Sequence, residues 1–200
     1  MQPINASRKS ILNKLRSQPL PSNPLPEVIH GNWLRFKSPI EQLGNVLRSV
    51  GATCESLTDL ESVRAKLQSY PEFSDAKRVL SQIPEIPGNV TLENVERPHD
   101  LEDVDFLIVR GEMAVAENGA VWVTDKDLKH RVAYFINQHL IMVVRKADVL
   151  HNMHEAYARV KFSGPGFGCF ISGPSKTADI EQSLVIGAHG CRTMQLYIVD

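Results

Sequence analysis

From Ser38 onward, short apolar runs alternate with segments of helical period, and this alternation limits what the chain can become. Pro39 opens a segment with Ile40, Leu43, Val46, Leu47 and Val50 at helical spacing, and Gly51 closes it. Ala52–Leu57 reads as a short strand. Thr58 and Glu61 then predict a capping box for a helix through Val63 and Leu67. Lys77–Ile83 is a second strand, followed by a Pro/Gly loop over 84–88. Strands separated by helices of this kind make an α/β protein whose sheet is built largely of parallel strands, because each parallel connection needs a crossover.

Further along, the apolar strand Asp105–Val109 leads into Gly111–Thr124. There Asn118-Gly119 between apolar runs is a hairpin signal and predicts an antiparallel insertion. The pattern then predicts a helix over 125–137, a strand over 140–144, a helix over 147–160, a strand over 169–172 and a closing strand over 194–199. The fold class is a mainly parallel sheet flanked by helices with an antiparallel hairpin insertion. Before it, Ile11, Leu12 and Leu15 mark a short amphipathic helix with a basic face. Pro19, Pro21, Pro24 and Pro26 then impose an extended arm. The expected organisation is a helix and Pro-rich arm over 1–37 and a domain over 38–200.

Charge and cysteine usage exclude several functions. A formal net charge of -1 supplies no attraction for nucleic acid or an acidic membrane surface. No apolar run is long enough to span a bilayer, and the first residues lack a signal-peptide core, so the expected location is cytoplasmic. Cys54, Cys169 and Cys191 lie far apart with no CxxC, so neither an iron–sulfur centre nor a structural zinc is expected. They read as reduced, partly buried thiols. His151 and His154 miss the i, i+4 spacing of a helical metal pair. The chain is expected to hold no metal and no cofactor.

Three segments carry candidate chemistry. The strand ending at Ser172 meets Gly173-Pro174, and a helix is expected to open with Ser175, Lys176 and Thr177. A tight glycine, exposed amides and Lys176 suit a carboxylate or phosphate. Asp179 and Glu181 complement a helix dipole themselves and would repel that anion, so a plain capped helix explains the same residues. A phosphate-binding P-loop fails because Pro174 and Ser175 separate Gly173 from Lys176. Gly164, Gly166 and Gly168 fail the dinucleotide fingerprint because they enter a strand. In the second segment, Asn118 and Gly119 serve the turn, whereas Glu117 beside it is a candidate acid, base or nucleophile, or else an exposed strand-end carboxylate. In the third, His189 is a candidate proton shuttle and Arg192 a carboxylate clamp, with Cys191 between Gly190 and Arg192.

Taken together, Ala116-Glu117-Asn118-Gly119 and Ser172–Glu181, with Gly187-Ala188-His189-Gly190-x-Arg192, resemble the LUD domain, in particular the lactate-utilisation protein C (LutC/YkgG) family. The similarity covers roughly Gly111 onward. It implies a NagB/RpiA/CoA-transferase-like fold and a role in oxidising L-lactate to pyruvate with iron–sulfur partner proteins, this subunit having no redox cofactor. It further implies that a small lactate-like anion meets Asn118, Gly119, Gly173, Ser175, Lys176, Thr177, Asp179, Glu181 and Arg192, with Glu117 and His189 as catalytic candidates. Asn118 replaces the family's usual threonine and keeps a hydrogen-bonding side chain. Cys191 replaces its usual proline and restores a backbone N–H. Two other readings stay open: a stand-alone isomerase- or CoA-transferase-like enzyme acting on a small acyl or sugar-phosphate anion through Glu117, and a pure assembly module. Homo-oligomerisation is also left open. On the single-site reading, Glu117 and Ser175–Thr177 share one face at the carboxyl ends of the parallel strands.

Overall fold

Apolar residues on both faces of the central strands decide the architecture. The computed structural model describes residues 3–18, 23–24, 31–161, 166–178 and 184–200. In β6 (His139–Arg145), Leu140, Met142 and Val144 enter one apolar cluster, while Ile141 and Val143 enter another. β3 (Phe106–Arg110) and β11 (Thr193–Val199) divide in the same way, with Leu107, Val109, Leu196 and Ile198 on the first side. Strands of this composition belong in a parallel sheet covered on both faces. They join β1 (Thr53–Ser56) and β2 (Val79–Ser81) in the order β1-β11-β6-β3-β2, every neighbouring pair parallel.

One face is covered by α3 (Leu60–Gln68), through Val63 and Leu67, with the short α4 (Pro71–Ser74) following it. Asp59, rather than Thr58, caps α3: its carboxylate accepts the Ser62 N–H at 2.8 Å. The other face meets α2 (Pro39–Ser49) and a second sheet. α2 starts at Pro39 as expected and ends on Gly51 at φ +83°, where the Ala52 N–H reaches Leu47 O at 2.8 Å and the Gly51 N–H reaches Arg48 O at 3.1 Å. That pair of bonds is a Schellman ending, and the left-handed residue in it favours glycine.

The predicted hairpin forms, as β4 (Met113–Val115) and β5 (Ala120–Thr124) joined through four residues, 116–119. It belongs to its own sheet, in the order β7-β4-β5-β8, with β7 (Val149–Leu150) and β8 (Gly168–Ile171). Ala114, Ala116, Val121 and Val123 face the parallel sheet's cluster, whereas Met113, Val115 and Trp122 face a third cluster that includes Ala156 of α6 (Met153–Arg159).

Three expected helices change. The helix over 125–137 contracts to α5 (Ala133–Ile136), because the preceding residues are tied elsewhere. The Asp125 N–H donates to Phe167 O at 3.0 Å, and Lys129 Nζ donates to Val95 O at 2.7 Å. The helix over 147–160 yields its first half to β7, which pairs with β4, and Asn152 caps what remains. The helix after Gly173-Pro174 is instead a hairpin of β9 (Lys176–Ala178) and β10 (Leu184–Ile186). Val185 and Ile186 are β-branched, and that chemistry prevailed over the helix start that Ser175, Lys176 and Thr177 offered.

The chain divides into two units, residues 1–31 and 32–200. The first contains α1 (Pro3–Arg16), which spans the predicted N-terminal helix. Most of the Pro-rich arm lies outside the described residues. The larger unit begins at Asn32, before the expected boundary at 37/38, because Trp33–Phe36 docks onto the start of α6. Trp33 stacks on His154 with centroids 3.5 Å apart, Asn152 Nδ2 donates to Leu34 O at 2.9 Å, and the Phe36 N–H donates to His151 Nδ1 at 3.0 Å. Arg35 and Glu155 form an ion pair.

Candidate functional site

Two separated motifs meet at the last turn of α2. Gly119 adopts φ +71°, and a Cβ there would stand 3.3 Å from Val46, Leu47 and Ser172. Gly173, at φ +78°, lies so close to Val50 that a Cβ would stand 2.9 Å from its Cγ2. Ser172 Oγ donates to Asn118 O at 2.8 Å and joins the hairpin tip to the segment after β8. The Asn118 side chain turns back to accept the Ala120 N–H at 3.1 Å. Pro174 and the Lys176 stem lie over Gly51. A cation beside a helix C-terminus is favourable, so Lys176 also has a structural use.

The same segment meets β11 at its amino end. The Gly173 N–H points at Met194 Sδ at 3.0 Å, and the Ser175 N–H donates to Cys191 O at 2.9 Å. Gly187, opposite Ser175, donates its N–H to Ser175 O at 3.0 Å, and its φ of +76° and the adjacent Arg192 stem leave no room for a side chain. The structure therefore brings together Asn118, Gly119, Gly173, Ser175, Lys176 and Arg192, but at the amino edge of the parallel sheet, not its carboxyl edge. β4 and β8 put them there, since both belong to the second sheet and run antiparallel to β5, ending at the same edge. Thr177 lies in β9 paired with Val185 and caps no helix. Asp179 and Glu181 lie outside the described residues.

Glu117 is exposed, and its Oε2 accepts the Met153 N–H at 2.9 Å, so it satisfies the first turn of α6. Its Oε1 has no partner among the described residues. His189, Lys176 and Arg192 are exposed. Beside Arg192, His139 Nδ1 lies 2.8 Å from Thr193 Oγ1, and its ring stacks on Phe106. Burial holds the His139 imidazole below its usual range; Arg192 adds to this, while Glu72 and Asp105 oppose it.

Cys191 is buried and Cys54 and Cys169 are half-buried. Burial pushes the Cys54 thiol up to about 11 against the pull of Arg48, and raises the other two as well. Among the described residues, no three His, Cys, Asp or Glu side chains are grouped so as to hold a metal ion. No described helix is long and apolar enough to cross a membrane.

A second feature was not visible in the sequence motifs: a crevice of about 560 Å³ outside the carboxyl ends of the parallel strands. Gln82, Arg110, Arg145 and Val199, at or just beyond the ends of β2, β3, β6 and β11, contribute to its wall.

A five-stranded parallel sheet stacked on a mixed sheet, with helices outside both, places this chain in the α/β class. A model of the LUD domain matches residues 57–199, and the chain belongs to the LUD domain family. It is 33% identical over 104 residues to lactate utilization protein C of Shouchella clausii, covering 50% of this chain and 45% of that protein. To the protein of the same name in Oceanobacillus iheyensis it is 27% identical over 188 residues, covering 87% of this chain and 76% of the other. With the Geobacillus thermodenitrificans protein the identity is 33%, covering 44% of this chain and 40% of that one. Matches of the first kind thus span under half the relatives' length. A DUF162 family protein from Deinococcus radiodurans shares the fold, with a TM-score of 0.55 at 17% identity over 81% of this chain and 96% of that one.

Proposed function

We propose that this chain serves lactate utilisation as a LutC-like subunit, working beside iron–sulfur partner proteins and carrying no redox cofactor itself. A small lactate-like anion binds where the hairpin tip and the Gly173–Thr177 segment meet. The observation that carries this reading is the Ser172–Asn118 hydrogen bond of 2.8 Å, which turns two distant motifs into one surface. Lys176 and Arg192 supply positive charge, and the amides near Gly173 and Ser175 are already spent on Met194 and Cys191, so the side chains do the binding. Glu117, through the oxygen that has no partner among the described residues, and His189 are the groups available to move a proton. The names of the relatives support the same substrate class.

Titration calorimetry with L-lactate tests this reading. The chain should bind L-lactate, and Lys176→Ala or Arg192→Ala should weaken binding about ten- to a hundredfold at unchanged melting temperature, the effect of losing one charge-assisted bond. With an artificial electron acceptor, the purified chain alone should not oxidise lactate. Absence of binding, or wild-type affinity in both variants, would overturn the site.

A further inference from the structure

We propose that the crevice at the carboxyl edge of the parallel sheet is a separate binding site for a polyhydroxylated small molecule carrying one anionic group, of the sugar-acid kind. None of the motif residues lines it. Open parallel sheets bind ligands outside the carboxyl ends of their strands, and about 560 Å³ is within the usual size of a ligand pocket while far exceeding a three-carbon acid.

The chemistry of the wall selects the ligand. Three cations (Arg110, Lys126, Arg145) face three carboxylates (Glu112, Asp127, Asp148), so a polyanion meets no net attraction. The pairs within the wall show which groups remain for a ligand. Asp148 is held by Arg145 at 2.7 Å and by Arg159 at 3.4 Å. Glu112 accepts the Thr124 hydroxyl at 2.7 Å, leaving the hydroxyl oxygen of Thr124 able to accept in turn. The Tyr134 hydroxyl donates to Thr124 O at 2.8 Å, and burial keeps that phenol protonated. Lys126 and the Asp127 carboxylate have no partner among the described residues. Among the described residues, Arg110 is held only by Glu85, at 3.4 Å. Among the described residues, then, one cation without a partner (Lys126) and one loosely held (Arg110) suit a single carboxylate or phosphate. Asp127, Glu112 and Thr124 offer acceptors along the wall that the hydroxyls of a polyhydroxylated ligand can use. Of the remaining wall, Gly111, Val143 and Val199 are too few to bury an apolar ligand.

D-Gluconate is the probe, with glucitol as its uncharged counterpart and L-lactate as the short acid. Gluconate should raise the melting temperature and bind at least about tenfold more tightly than either control. Lys126→Ala should weaken gluconate binding about tenfold or more, and Asp127→Asn should weaken it without abolishing it. Lys176→Ala, in the motif cluster, should leave it unchanged, which separates failure here from failure of the lactate site. No gluconate binding at high millimolar concentration would overturn the proposal. So would equal binding of glucitol, indifference to Lys126→Ala, or loss of binding in Lys176→Ala.

Discussion

Gly119, Gly173 and His139 are each held by their immediate surroundings. Gly119 and Gly173 combine a left-handed backbone with contact against α2, so both would be needed for packing in the absence of any ligand. His139 carries a testable electrostatic consequence. Because burial depresses its folded-state value below the ordinary 6.5, the unfolded chain takes up the proton first as pH falls. Stability is then full above that ordinary value and declines as pH drops toward the folded one. His139→Asn should flatten the dependence of the urea midpoint on pH between about 5 and 7 relative to wild type. An unchanged slope would show that the imidazole does not sense its burial beside Phe106 and Arg192.

At the scale of elements, the hairpin tip and α6 are coupled through Glu117. Replacing Glu117 by Ala removes the acceptor of the Met153 N–H and should cost about 0.5–2 kcal/mol in chemical denaturation. Glu117→Gln keeps a carbonyl acceptor and should stay within about 0.5 kcal/mol. If Glu117→Gln nevertheless abolishes the function that the wild-type chain supports, the carboxylate has a chemical role beyond holding α6. Elements were legible where one local signal dominated. The apolar strands at 106–110, 139–145 and 193–199 declared themselves by composition, α2 by its Pro39 and Gly51, and the β4–β5 turn by Asn118-Gly119. They were illegible where a distant partner decided. Ser175, Lys176 and Thr177 suit a helix start as well as a strand, and the pairing of Lys176–Ala178 with Leu184–Ile186 decides for the strand. Residues 125–132 have a helical pattern that bonds to Val95 and Phe167 override. The candidate site was legible only as two motifs. Which edge of the sheet they occupy depends on β8 joining β5, and the crevice draws its wall from segments between Gln82 and Val199.

For the whole molecule, order in the sheet differs sharply from order in the chain. β11 lies between β1 and β6, and among the described strands β1 pairs only with β11. Met194, Leu196, Tyr197 and Ile198 are buried, so this strand also knits together the apolar clusters on both faces. Removing residues 193–200 should therefore abolish the cooperative thermal transition, not merely lower its midpoint, as read by circular dichroism. A truncated chain that still melts sharply would mean that β6, β3 and β2 form a self-sufficient sheet. The position of β11 also sets a timetable for synthesis. β1 leaves the ribosome with roughly 140 residues still to come before its neighbour appears, about 7–28 s at ordinary elongation rates. Through that interval the edge of β1 that meets β11 has no partner strand among the described residues, and the hairpin tip at Gly119, which packs on α2, is made well before β11.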